Sequence, residues 1–163
     1  MQGYVTFLKT AGGFVPIDGN STQIHKLNKQ QNLSLGTAAD AATYLRFFCS
    51  SLSAEEGAFR IFERAQYLLP RGNPGKAEED AQRCAAPLKF EPAGHDETGQ
   101  FFMFSTAVKY SNAIFVAKFK VRQNGFVGML EDTAVAQNLN VYVEIFNDGI
   151  RTIQARSKNT DED

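Results

Sequence analysis

The chain has 163 residues, of which 43% are hydrophobic and 21% charged. That length suits one domain of ordinary globular composition and excludes collagen-like, coiled-coil and wholly disordered chains. Seventeen basic residues stand against eighteen acidic ones, a formal charge of -1, which argues against a strongly basic nucleic-acid binder.

In chain order, residues 4–8 read as a strand, 10–13 as a turn made by Gly12-Gly13, and 14–17 as the returning strand. Pro16, which lacks an N–H, belongs at a sheet edge. Residues 22–31 suit a short helix capped by Ser21 or Thr22, with Ile24 and Leu27 on one face. The main helix begins at Thr37, whose hydroxyl is placed to cap the backbone N–H of Asp40 in a variant capping box. Ala41, Leu45, Phe48 and Leu52 recur at helical spacing, joined by Ala38, Ala42 and Cys49, and Gly57 marks the stop. A strand over 58–63 follows, with Phe59 and Ile61 on one side and Arg60 and Phe62 on the other. Residues 71–76 form a loop, 77–85 have helix-forming composition, and Leu88 to Phe90 suit a short strand between Pro87 and Pro92.

Residues 101–131 carry the clearest pattern. Phe102, Phe104, Thr106, Val108 and Tyr110 share one face, and on the next strand Ala113, Phe115, Ala117, Phe119 and Val121 share a face while Lys118, Lys120 and Arg122 point away. Such alternation predicts an antiparallel sheet with one side on the core. A two-residue turn at Ser111-Asn112 pairs Val108 with Phe115, Thr106 with Ala117, Phe104 with Phe119 and Phe102 with Val121. A one-residue slip would drive Lys118 and Lys120 inside. A type I′ turn at Asn124-Gly125 would set Val121 opposite Gly128 and Phe119 opposite Leu130. A further strand carries Leu139, Val141, Val143 and Ile145 on one face. Asn147-Asp148-Gly149 turns into a last strand from Ile150 to about Arg156, and residues 157–163 read as a disordered acidic tail. The chain is therefore expected to be a single α+β domain over 1–156: a curved antiparallel sheet of five to seven strands packed on one main helix.

No catalytic motif is present. His25 lies in a polar segment and His95 in a turn, there is no Gly-x-Ser-x-Gly elbow, and residues 71–76 lack the spacing of a phosphate-binding loop. Cys49 and Cys84 have no zinc-type spacing and read as free thiols of a reducing compartment. No cofactor and no metal site are expected. The N-terminus has no secretory pattern and no apolar run is long enough to span a bilayer, so the expected location is cytoplasmic, away from membranes.

Fourteen phenylalanines and no tryptophan instead point to an aromatic interior, each buried ring removing ~150–250 Å² from water. Phe48, Phe104, Phe115 and Phe119 are the candidates to line a small apolar ligand. Between Thr98 and Leu130 there is no acidic residue, so Lys109, Lys118, Lys120 and Arg122 mark a basic face that is a candidate for RNA, a protein partner or a second copy of the chain. A small cup-shaped enzyme would instead use a lone His25, Glu63 or Asp132.

The stretch Gly125-Phe126-Val127-Gly128-Met129-Leu130-Glu131-Asp132-Thr133 is similar to the end of the last strand in PAS sensor domains. The order of hairpin, helical middle and meander resembles that fold, in which a five-stranded sheet and its helices enclose a small-molecule pocket. A cystatin-like or nuclear-transport-factor-like sheet curved over a long helix fits the same order. The resemblance implies a ligand-holding roll and assigns no functional residue.

Overall fold

The computed structural model describes residues 3–156, so the expected acidic tail lies outside the described residues. The fold is α+β with antiparallel sheets, but the strands fall into three sheets rather than one. The main sheet contains β4 (Ser53–Ala54), β5 (Gly57–Ile61), β6 (Lys89–Asp96), β7 (Gly99–Tyr110), β8 (Ala113–Arg122) and β9 (Val127–Ala136). Strands β5 and β6 share one edge of β7, β5 beside its C-terminal part and β6 beside its N-terminal part. The long hairpin of β7 and β8 has the expected register, with Val108, Thr106, Phe104 and Phe102 opposite Phe115, Ala117, Phe119 and Val121.

A second sheet joins β1 (Gly3–Val5), β11 (Ile150–Arg156) and β10 (Val141–Asn147). The first strand expected from the sequence is thus divided. Its beginning pairs with β11, while β2 (Phe7–Thr10) turns back on β3 (Gly13–Pro16) as a separate hairpin. Asp148 and Gly149 both have positive φ and close β10 onto β11 with Asn147 opposite Ile150, a two-residue turn where a three-residue loop was expected. Strand β6 continues through Pro92 to Asp96 because a register shift between Glu91 and Gly94 relieves the ladder of the missing proline N–H.

Of the three α-helices among the described residues, α1 (Ser21–Gln30) is capped by Asn20, whose side chain accepts from the Thr22 N–H. Helix α2 (Ala38–Ser51) has the capping box anticipated at Thr37 and Asp40. It lays Ala41, Tyr44, Leu45, Phe48 and Cys49 on the Phe102, Phe104, Val108, Phe119 and Val121 side of the main sheet. Helix α3 (Lys76–Gln82) is short. No helix among the described residues is long and apolar enough to cross a membrane.

The opposite side of the β7–β8 hairpin is also covered at one end. Ala107 and Ile114 pack there with Phe62, Leu68, Leu139, Val141 and Val143. The hairpin therefore stands between two cores, and the face expected to meet solvent is open only beyond them.

The turn from β8 to β9 departs from expectation by one residue. Arg122 and Phe126 close it across Gln123, Asn124 and Gly125, and only Gly125, at φ 79°, has positive φ. This is a three-residue turn with a left-handed glycine. Val127 now faces Val121 and Met129 faces Phe119, so both turn toward the α2 side, while Gly128 pairs with Lys120. Burying a valine rather than a glycine opposite Val121 favours this register. A Cβ at Gly125 would also fall 2.6 Å from Leu33 Cδ2 and 2.7 Å from Asn28 Nδ2. Gly125→Ala is expected to lower stability by about 1–3 kcal/mol through left-handed strain and this clash, measurable by urea denaturation. A neutral result would mean the turn can adopt the two-residue form.

Candidate functional site

The shifted register of β9 builds an aromatic cleft of about 380 Å³ between α1, α2 and the β8–β9 edge, with Phe59 of β5 also in its wall. Its lining includes His25, Phe48, Phe59, Phe119, Phe126 and Met129. Phe126 and Met129 are 50% and 51% exposed, an unusual state for large apolar groups gathered in one concavity. The His25 ring stacks on Phe126 at 5.1 Å and 22° and leans on Phe48 at 5.3 Å and 37°. No group among the described residues hydrogen-bonds the imidazole, and burial against these rings lowers its pKa from the ordinary value. A neutral imidazole there offers one donor and one acceptor beside an apolar wall.

The candidate rings from the sequence divide. Phe48 and Phe119 line the cleft. Phe104 is 1% exposed within the core, against Phe90 at 5.7 Å, and Phe115 sits farther along β8 opposite Val108. Met129 was missed because the two-residue turn would have sent it to the other face, and Phe126 because its place in the cleft depends on His25 of α1, about a hundred residues away in the chain. Cys49 at the base of the cleft is a buried free thiol whose pKa burial pushes up to about 12, an unreactive state.

The basic residues also divide. Lys118 pairs with Glu131 at 3.4 Å. Lys120 and Arg122 converge on Asp96, Arg122 at 2.8 Å. Hydrogen bonds from Lys120 and Thr98, with Arg122 beside them, hold the Asp96 carboxyl well below the usual carboxylate range. Lys120 further sits 3.9 Å from the Phe101 ring centroid, and that ring lies over Gly94, where a Cβ would be 2.4 Å from Phe101 Cζ. The two carboxylates come from β6 and β9, outside the acid-free stretch, and each of the three cations is paired with one of them, Lys120 and Arg122 sharing Asp96. Lys109 is apart from them, 9% exposed under the second sheet. Of the candidate lone acid–base residues, His25 stands in the aromatic cleft, Glu63 is held bidentately by Arg46 at 2.7 and 2.8 Å and accepts from the Leu88 N–H at 3.0 Å, and Asp132 is exposed on β9. Among the described residues no cluster of His, Cys, Asp and Glu could hold a metal ion.

No family model matches the chain, and no curated protein and no solved structure matches it either.

Proposed function

We propose that this chain is a non-catalytic binding module that holds a small apolar, ring-bearing ligand in the cleft of His25, Phe48, Phe119, Phe126 and Met129. The observation that carries this reading is the gathering of half-exposed Phe126 and Met129 around an imidazole with no hydrogen-bond partner among the described residues. The ligand's ring replaces solvent against Phe126 and Met129, and His25 orients one polar substituent. In this reading the main sheet over α2 is a ligand-holding roll of the PAS or cystatin and nuclear-transport-factor kind. A protein partner or second copy on the basic sheet face is less favoured, because Lys118, Lys120 and Arg122 are already paired with Glu131 and Asp96 and only one net positive charge remains; RNA is disfavoured for the same reason.

The uncharged fluorophore N-phenyl-1-naphthylamine tests the site. Its emission is expected to rise on binding with 1:1 stoichiometry. Phe126→Ala and Met129→Ala should each weaken binding about tenfold, the equivalent of losing roughly 1.5 kcal/mol of apolar contact. Both side chains are half exposed, so the variants retain the core. No emission change in the native chain, or unchanged affinity in both variants, would overturn the proposal.

A further inference from the structure

A second cavity, smaller and more closed, lies between the main sheet and the second sheet. It encloses about 220 Å³ and is lined by Arg60, Lys109 and Glu144 together with Tyr67, Leu69 and Ile153. Arg60 and Lys109 are direct cross-strand partners on β5 and β7, so two cations face the same space from adjacent positions. Like charges placed so are unfavourable without a shared counter-ion. Glu144 of β10 is the carboxylate that meets them, and it is already divided. It accepts from Arg60 Nη2 at 3.2 Å, from the Tyr4 hydroxyl, and lies 3.8 Å from Arg151 Nη1. Arg151 is itself buried, with its guanidinium 4.1 Å from the Phe146 ring centroid, one amine on the Ser50 carbonyl and Nε without a partner among the described residues. Among the described residues, Lys109 Nζ has only the Ser111 carbonyl, at 3.1 Å.

Three cations thus surround one carboxylate, two of them buried (Lys109 and Arg151) and Arg60 partly exposed at the mouth. Buried charges need partners of opposite sign, and the described residues supply one for three. The remaining wall is mixed, with Ala58, Leu69, Val143 and Ile153 beside Gln66, Tyr67 and Tyr142. We propose that the cavity binds a small organic carboxylate, its anionic end between Arg60 and Lys109 and its apolar body against Leu69, Ile153 and the Tyr67 ring. Arg60 is preset for this, since its guanidinium is already stacked 5.0 Å from the Tyr67 centroid. Burial lowers the Lys109 pKa to about 8, with Arg60 adding to the effect and Glu144 opposing it, which is the state of an amine short of counter-charge. An anion that arrives restores it. The site is separate from the aromatic cleft and does not depend on it.

Benzoate and its uncharged isostere benzamide, titrated calorimetrically into the full chain at pH 7, distinguish charge recognition from apolar filling. Benzoate is expected to bind 1:1 and benzamide at least tenfold more weakly. Lys109→Met and, independently, Arg60→Gln should each weaken benzoate tenfold or more, while Phe126→Ala leaves it unchanged. Arg60 is partly exposed, so its variant reports even if Lys109→Met disturbs the fold. In the native chain, benzoate should also move the titration of the Lys109 ε-carbon resonance to higher pH. Equal affinity for benzamide, loss of benzoate binding in Phe126→Ala, or an unmoved Lys109 titration at saturation would overturn the proposal.

Discussion

Phe104→Ala and Phe62→Ala are each expected to cost about 3–5 kcal/mol and to move one common unfolding transition. Phe104 is 1% exposed among the α2-facing residues, and Phe62 is fully buried in the other core. Neither cavity can close by a surface rearrangement, because each ring lies among closely packed core side chains, Phe104 between α2 and the main sheet and Phe62 among Leu68, Ala81, Leu139 and the strands of both sheets. The common transition follows from the hairpin between the cores. Phe104 and Val108 of β7 face α2, while Ala107 of the same strand and Ile114 of β8 face Val141 and Val143. Melting one core strips one face of strands whose hydrogen bonds hold the other. Urea unfolding followed by circular dichroism and by tyrosine fluorescence should give coincident curves for both variants, displaced by similar amounts. Two separated transitions in either variant would show that residues 1–156 contain two independently folding units.

The parts of this fold legible in the sequence are those set by short-range periodicity. The alternation of Phe102, Phe104, Phe119 and Val121 with Lys118 and Lys120, joined by the Ser111-Asn112 turn, leaves one register in which both apolar faces coincide, and the structure has it. Helix α2 is equally local, since Thr37 and Asp40 satisfy each other's backbone N–H groups and the Ala41, Leu45, Phe48 stripe follows. At Asn124-Gly125 local chemistry is ambiguous, because two-residue and three-residue turns both accept a left-handed glycine there. What decides is burial of Val127 in place of Gly128, and that choice sets whether Met129 joins Phe119 in the cleft. The basic face shows a different limit. Strand parity correctly puts Lys109, Lys118 and Lys120 on one side. The carboxylates that neutralise two of them and the sheet that buries the third come from β6, β9 and β10, pairings that no local window contains.

Lys109→Met is expected to stabilise the folded chain by about 2 kcal/mol at neutral pH, with the gain fading in alkali. The amine titrates near 10.5 when unfolded and at about 8 in the fold, where burial disfavours its charge, Arg60 repels it and Glu144 partly offsets both. Below pH 8 both states are protonated, and the native chain carries the whole penalty of a buried ammonium, roughly 3 kcal/mol for a displacement of that size. Between pH 8 and 10.5 the unfolded chain binds more protons than the folded one, so native stability rises with pH. Above 10.5 both forms are neutral and the penalty is gone. The lost bond to the Ser111 carbonyl takes back about 1 kcal/mol. Other groups change charge in alkali as well, so the quantity to follow is the difference between native and Met chains, in which common contributions cancel. Saturating benzoate should shrink that difference, because it supplies the missing counter-charge to the native amine and binds the Met variant at least tenfold more weakly. A Met variant less stable than the native chain by the same amount at pH 7 and pH 10.5 would mean the ammonium is fully compensated where it lies, and the cavity would lose its reason to attract an anion.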